Sequence, residues 1–167
     1  TLGVSGANEA KRVQKEYMQN HRLNIPTLLM ADIIHGFRTI FPIPLALGST
    51  WDEAAVEKMA EISAKEAAVS GLHVTFSPMV DLVRDPRWGR VMESTGEDPL
   101  LNSRLAAAMV RGYQGENLKE DNWRVAACVK HFAAYGGALA GRDYNTVDMS
   151  ERQLREMYLP RSEERRV

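Results

Sequence analysis

The sequence predicts an α/β domain built on parallel strands, and three observations carry the prediction. Short apolar runs alternate along the chain with longer helix-forming segments. The runs are unbroken rather than alternating apolar with polar, the pattern of strands in a sheet covered on both faces. Polar residues able to do chemistry stand directly after two of them, Asp32 after Thr27–Ala31 and Lys130-His131 after Arg124–Val129. Closed barrels and open doubly wound sheets both satisfy this pattern, and both place ligands at the carboxyl ends of their strands. Three strand–helix units do not choose between them.

Taken in order, Ala7 to His21 is helix-forming, with Ala10, Val13, Tyr17 and Met18 near one face. Ile25-Pro26 breaks it, and Thr27–Ala31 reads as a buried strand ending at Asp32. A loop with Gly36, Pro42, Pro44 and Gly48 follows. Thr50, with Glu53 three residues on, is a capping box opening a long helix through Ala54, Met59, Ile62 and Ala67, which Gly71 closes. The second strand is Leu72 to Ser77, halted at Pro78. A polar stretch from Asp81 to Pro99 leads to a helix over roughly Leu100 to Tyr113, ending near Gly115, with Asp98 near its N-terminus. After the third strand a Gly-rich loop reaches Ser150, which with Gln153 caps a final helix cut short near Pro160.

Composition narrows the function classes. A net charge of −1, with 44% hydrophobic and 26% charged residues, describes about one soluble globular domain and gives no general attraction to nucleic acid or acidic membranes. No apolar run approaches the roughly 20 residues of a membrane span. One cysteine, Cys128, excludes a disulfide within the chain, and CxxC-type metal sites are absent. Set in the run Val125–Val129, it reads as a small buried residue. The chain opens at Thr1 rather than methionine, and Arg161–Val167 follows Met157-Tyr158-Leu159-Pro160 with nothing to bury. Both ends are expected to be cut.

An acid, an arginine, a lysine and a histidine gathered at strand ends can grip a polyol. Asp32 would accept hydrogen bonds from hydroxyls, and Arg90, Lys130 and His131 would donate them, with charge-assisted strength. Each also has a plainer reading: Asp32 as a turn residue, Lys130 as a solvated lysine, His131 as a structural histidine. Trp88 suits either a sugar face or packing. His35 reads as a loop organiser near Gly36, while His21 and His73 give no functional signal. Glu93 to Asp98 reads as loop and helix-start chemistry.

Four stretches, taken together, resemble glycoside hydrolase family 3. They are Met30–Gly36; Phe41–Gly48 with Trp51-Asp52; Ser77–Leu82 running into Arg84-Asp85-Pro86-Arg87-Trp88-Gly89-Arg90, Glu93 and Gly96–Pro99; and Lys130-His131-Phe132 with Tyr144–Ser150 beyond. Order and spacing agree over roughly Asn24 to Pro160, and an ordered set of this kind is specific where one motif is not. Within the family the likeness is to the bacterial periplasmic β-glucosidase type.

The resemblance implies that residues 1–160 are the N-terminal part of a TIM-type (β/α)8 barrel, an incomplete barrel, and that 161–167 is a divergent charged tail from truncation or a frame change. It implies that Asp32, Arg90, Lys130 and His131 bind substrate hydroxyls in a retaining, exo-acting β-glucosidase acting on a β-linked glucoside or oligosaccharide. The Asp nucleophile and Glu acid/base of such an enzyme are expected beyond the chain end, so Asp32, Asp81 and Asp85 are not promoted to nucleophile. The isolated chain is then expected to be inactive. No cofactor and no metal are implied, and a periplasmic or secreted location is suggested, with the cytoplasm left open. The family's N-acetylglucosaminidases continue the Lys-His segment with Pro-Gly and Asp-Ser-His; Phe132-Ala133-Ala134-Tyr135-Gly136 does not. That favours β-glucosidase or, as an alternative, β-xylosidase. A non-catalytic carbohydrate-binding protein is the second class of reading. An α/β nucleotide enzyme finds no Walker-type loop or GxGxxG run after a strand.

Overall fold

A computed structural model describes residues 1–4 and 6–160. Its centre is a three-stranded parallel sheet in the order β1 (Met30–Ala31), β2 (Val74–Thr75), β3 (Ala126–Ala127), with Met30 beside Val74 beside Ala126. Consecutive strands lie side by side, as strand–helix–strand units with short connections require. Leu2 adds a parallel bridge to Met30, held by a bond from the Met30 amide to the Thr1 carbonyl (3.0 Å), a pairing the sequence did not announce.

Apart from one short helix, which the sequence reads as loop, helices lie in the regions expected of them. They are α1 (Ala7–Asn20), α2 (Pro44–Gly48), α3 (Glu53–Val69), α4 (Pro99–Gln114) and a short α5 (Glu151–Gln153) that continues as a π turn over Leu154–Tyr158. Asp98 caps α4 by accepting from Leu101 N at 2.7 Å, and Ser150 caps α5 by accepting from Gln153 N at 3.1 Å. Gly71, at φ +89, lies just past α3, where a side chain would disfavour the turn.

Three expectations are corrected. Asp52, not Thr50, caps α3, its Oδ1 accepting from Ala55 N at 2.9 Å. Thr50 is engaged elsewhere: its hydroxyl donates to Leu47 O at 2.6 Å and so closes α2, a helix read from sequence as loop. The strands are shorter than their apolar runs. After β2 the ladder breaks at Pro78, which has no N–H to give, and Cys128 N divides its bond between Thr75 O (2.9 Å) and Ser77 O (3.1 Å). Pairing resumes at Met79 beside Lys130.

The third correction concerns the sheet faces. Leu29, Ile33 and Val125 pack with Val56, Met59, Ala60, Leu105 and Met109 of α3 and α4 into the main core. Burying each large side chain contributes about 1.5–3 kcal/mol. Gly112 permits the close α3–α4 contact, because a Cβ there would stand 2.3 Å from Glu57 O and 2.6 Å from Ala60 Cβ. On the opposite face Met30, Val74, Phe76, Ala126 and Cys128 are only half-buried, and Leu28 is exposed. Among the described residues the sheet is covered on one face, and Cys128 is not the buried residue the sequence suggested.

One buried link ties this core to the strand ends. Tyr113 of α4, with no exposure, donates to Ile33 O at 2.6 Å and accepts from Ser77 Oγ at 3.2 Å. It anchors the residue directly after Asp32. Removing water from that hydroxyl pushes its pKa up to about 12. The tail at 161–167 falls outside the described residues.

Candidate sugar-binding site

The four residues singled out from sequence come together at the carboxyl ends of the strands. Asp32 is the first residue past β1, and its Oδ1 lies 2.5 Å from Lys130 Nζ. Lys130 is placed from β3 by the bridge to Met79: Val80 N donates to Lys130 O at 2.7 Å, and Lys130 N donates to Pro78 O at 3.0 Å. Arg90, in the long β2–α4 segment, reaches across so that Nη1 is 3.3 Å from His131 Nε2.

Two acids complete the cluster, and the sequence reading gave neither a site role. Glu93, read as loop chemistry, takes a bidentate pair from Arg90, Nε to Oε1 at 2.6 Å and Nη2 to Oε2 at 2.7 Å. Its Oε2 is also 4.0 Å from Lys130 Nζ. Glu93 is the main reason the guanidinium holds its proton even more tightly than usual. The Arg90–Glu93 spacing of three, within one helical turn, was the available signal. Asp81, set aside from sequence as a nucleophile and otherwise part of a motif, is fully buried and lies beside His131, its Oδ2 at 2.6 Å from Nδ1. Its own carbonyl is fixed by Ser94 Oγ at 2.6 Å.

An aromatic wall borders the ions. The Tyr135 ring meets His131 edge-on at 4.6 Å, lies under the Arg90 guanidinium at 5.4 Å, and neighbours Tyr144 at 5.7 Å. Burial, followed by the facing Asp143 carboxylate, pushes the Tyr135 hydroxyl up to about 12. The Asp143 carboxyl is in turn held below its ordinary range by Tyr135 and by Trp88. Trp88 is 2% exposed and donates from Nε1 to Asp143 Oδ1 at 3.0 Å, so it packs rather than offering a face to a ligand. Tyr144 is 86% exposed beside this wall.

The remaining histidines are structural. His35 closes its loop, with Nδ1 3.0 Å from Phe41 O, as the reading near Gly36 expected. His73 Nδ1 accepts from Leu29 N at 3.0 Å, and His21 stacks on Tyr17. Among the described residues, no group of three or more His, Cys, Asp or Glu side chains is placed to hold a metal ion. A concavity of about 970 Å³ between α3, α4 and the α4–β3 loop, lined by Glu57, Arg111, Trp123 and Arg124 among others, contains none of the cluster's residues. No described helix is long and apolar enough to cross a membrane.

Donors and acceptors alternate in this cluster beside aromatic rings, which suits a ligand rich in hydroxyls. The fold and the cluster together define an α/β domain with charged and aromatic side chains gathered at the strand ends. Residues 4–163 match the glycosyl hydrolase family 3 N terminal domain, and the chain belongs to that family.

The relatives are much longer. A periplasmic β-glucosidase of Salmonella typhimurium is 45% identical over 152 residues, covering 91% of this chain and 20% of that protein. A β-xylosidase of Formosa agariphila is 40% identical over 152 residues, 84% of this chain and 21% of that protein. The chain thus spans about a fifth of the length of the curated relatives it matches. The β-glucosidase from Listeria innocua, solved in complex with glucose, superposes with a TM-score of 0.95 at 60% identity, over 98% of this chain and 23% of that one.

Proposed function

We propose that this chain forms the first part of a (β/α)8 barrel in a retaining, exo-acting β-glucosidase, and that Asp32, Arg90, Lys130 and His131 hold the terminal glucosyl unit by its hydroxyls. The observation that carries the reading is the continuous network Asp32–Lys130–Glu93–Arg90–His131 at the strand ends. The Listeria enzyme, described with glucose, gluconolactone, isofagomine and laminaribiose, supports glucose as the sugar. The half-exposed sheet face, lined by Met30, Val74 and Ala126, is the side that further strands of a barrel would enclose. Residues 1–160 make up the barrel segment in this reading, and the charged sequence 161–167 is set apart from it by sequence alone.

Retention requires a nucleophilic carboxylate and an acid/base about 5–5.5 Å apart. The three acids of the cluster are paired within it: Asp32 with Lys130, Glu93 with Arg90 and Asp81 with His131. As the family resemblance implies, both reacting carboxylates are assigned to other parts of the enzyme. What this segment contributes is grip, with hydroxyl contacts that tighten as the ring flattens toward the oxocarbenium-like transition state. A periplasmic or secreted setting goes with the reading, after the Salmonella relative.

The test is a chimera in which residues 1–160 replace the matching segment of the Listeria enzyme, assayed on aryl β-glucoside and β-xyloside. Preference for the glucoside is expected. A folded chimera that prefers the xyloside would shift the reading toward the Formosa β-xylosidase. One that binds neither sugar would overturn it.

A further inference from the structure

We propose that Asp81 is a positioning residue that fixes His131 as a hydrogen-bond acceptor for a sugar hydroxyl, a role that rests on the sugar-site reading above. A wholly buried carboxylate is costly unless its hydrogen bonds repay the desolvation. Asp81 spends those bonds on one residue. Its Oδ2 accepts both the His131 amide, at 3.1 Å, and His131 Nδ1, at 2.6 Å, while Oδ1 meets no donor among the described residues. The acid has no exposure, whereas the imidazole it holds is 32% exposed.

The two neighbours of the ring fix its tautomer from both ends. Asp81 Oδ2 can only accept, so Nδ1 carries the proton. At the far side Arg90 Nη1, 3.3 Å from Nε2, can only donate, so Nε2 presents its lone pair. The sequence reading took His131 for a donor; this geometry makes it an acceptor.

The distinction matters for a hydroxyl, which must both accept and donate. Arg90 and Lys130 offer only N–H donors; Asp32 supplies an acceptor beside Lys130, and His131 Nε2 supplies one beside Arg90 Nη1. A hydroxyl that displaces the direct Arg90–His131 contact takes a hydrogen bond from the guanidinium and gives its own proton's bond to the freed Nε2 lone pair. Were the ring to carry its proton on Nε2, that hydroxyl would face donors on both sides and lose one bond.

Two measurements on the chimera decide the matter. In the unsubstituted protein, the ring ¹⁵N signals of His131, assigned by their loss in His131→Ala, should show a proton on Nδ1 and a bare Nε2. Any form with a proton on Nε2, neutral or cationic, overturns the proposal, whether or not variants fold. In Asp81→Asn the amide can turn its NH₂ toward Nδ1 and drive the proton to Nε2. Glucose affinity should then fall roughly 10- to 100-fold, the scale of a lost hydrogen bond to a charged or polar partner, without loss of the folded state. On the His131→Ala background the same substitution should change affinity less than about twofold, because Asp81 acts through the ring. Losses that multiply fully across the two substitutions would mean that Asp81 acts independently, and would overturn the role. A chimera with Asp81 intact that does not bind glucose would instead refute the sugar-site reading, leaving the ring signals to judge Asp81.

Discussion

Replacing Glu93 by Gln separates a cluster of mutually held groups from a set of accidental neighbours. Glu93 grips Arg90 through both oxygens and lies 4.0 Å from Lys130. The Arg90 and Glu93 side chains are 23% and 19% exposed, so the pair is neither dry nor freely solvated. Two unit charges 4 Å apart interact by about 4 kcal/mol at an effective dielectric of 20 and about 1 kcal/mol in bulk water. Screening at this exposure points to a loss of about 2 kcal/mol. Chemically, the amide keeps one acceptor oxygen and turns an NH₂ toward the guanidinium, so one of the two bonds is replaced by facing donors. Arg90 is then free to leave His131 Nε2. Calorimetric glucose titration of the Glu93→Gln chimera should show affinity weakened about 30-fold, the equivalent of that energy. Unchanged affinity in a folded variant would refute the view that Glu93 sets the position of Arg90.

Tyr113 keeps its proton in the fold up to about pH 12, whereas an unfolded tyrosine releases it near 10. Its contribution is whole below pH 10 and fades as pH rises from about 10 to 12. Urea titrations of Tyr113→Phe should show lower stability near neutrality, by about 1–3 kcal/mol for the partners left at Ile33 O and Ser77 Oγ, with a shallower alkaline decline. An unaltered alkaline slope would contradict the assignment. Gly112→Ala drives a methyl into Glu57 O and should cost about 1–3 kcal/mol by forcing α3 from α4, read as a lowered urea midpoint. The 167-residue chain alone should hydrolyse no aryl β-glucoside and should self-associate on size exclusion through its half-open sheet. A monomer with enzyme-like turnover would refute that.

The parts of the fold visible in the sequence were those governed by local rules. Asp98 and Ser150 cap helices because short polar side chains reach the backbone two or three residues on. Asp32, Lys130 and His131 stood out because they follow apolar runs, and strand ends are where such folds keep their chemistry. Helix α2 was missed because Pro42, Pro44 and Gly48 read as breakers, although proline is well suited to a first helical turn, where Pro44 sits. Strand lengths were overread because apolar content marks burial, while a ladder needs an N–H that Pro78 lacks. The pairing of Asp81 with His131 is hidden from the sequence for a different reason. The two lie 50 residues apart, and no local pattern reports a contact made by the register of β2 and β3.

The most direct measurement is kcat/KM for an aryl β-glucoside in the chimera carrying Asp32→Ala. Asp32 is exposed at the strand ends, with Lys130 as its ion-pair partner, so the substitution removes the proposed sugar contact without opening the core. Hydroxyl contacts that strengthen in the transition state supply several kcal/mol, and 3–4 kcal/mol corresponds to roughly 10²–10³-fold. The expected result is a fall of that size with an unchanged melting temperature. A kcat/KM within a few-fold of the unsubstituted chimera would show that the glucosyl unit is not held by this cluster.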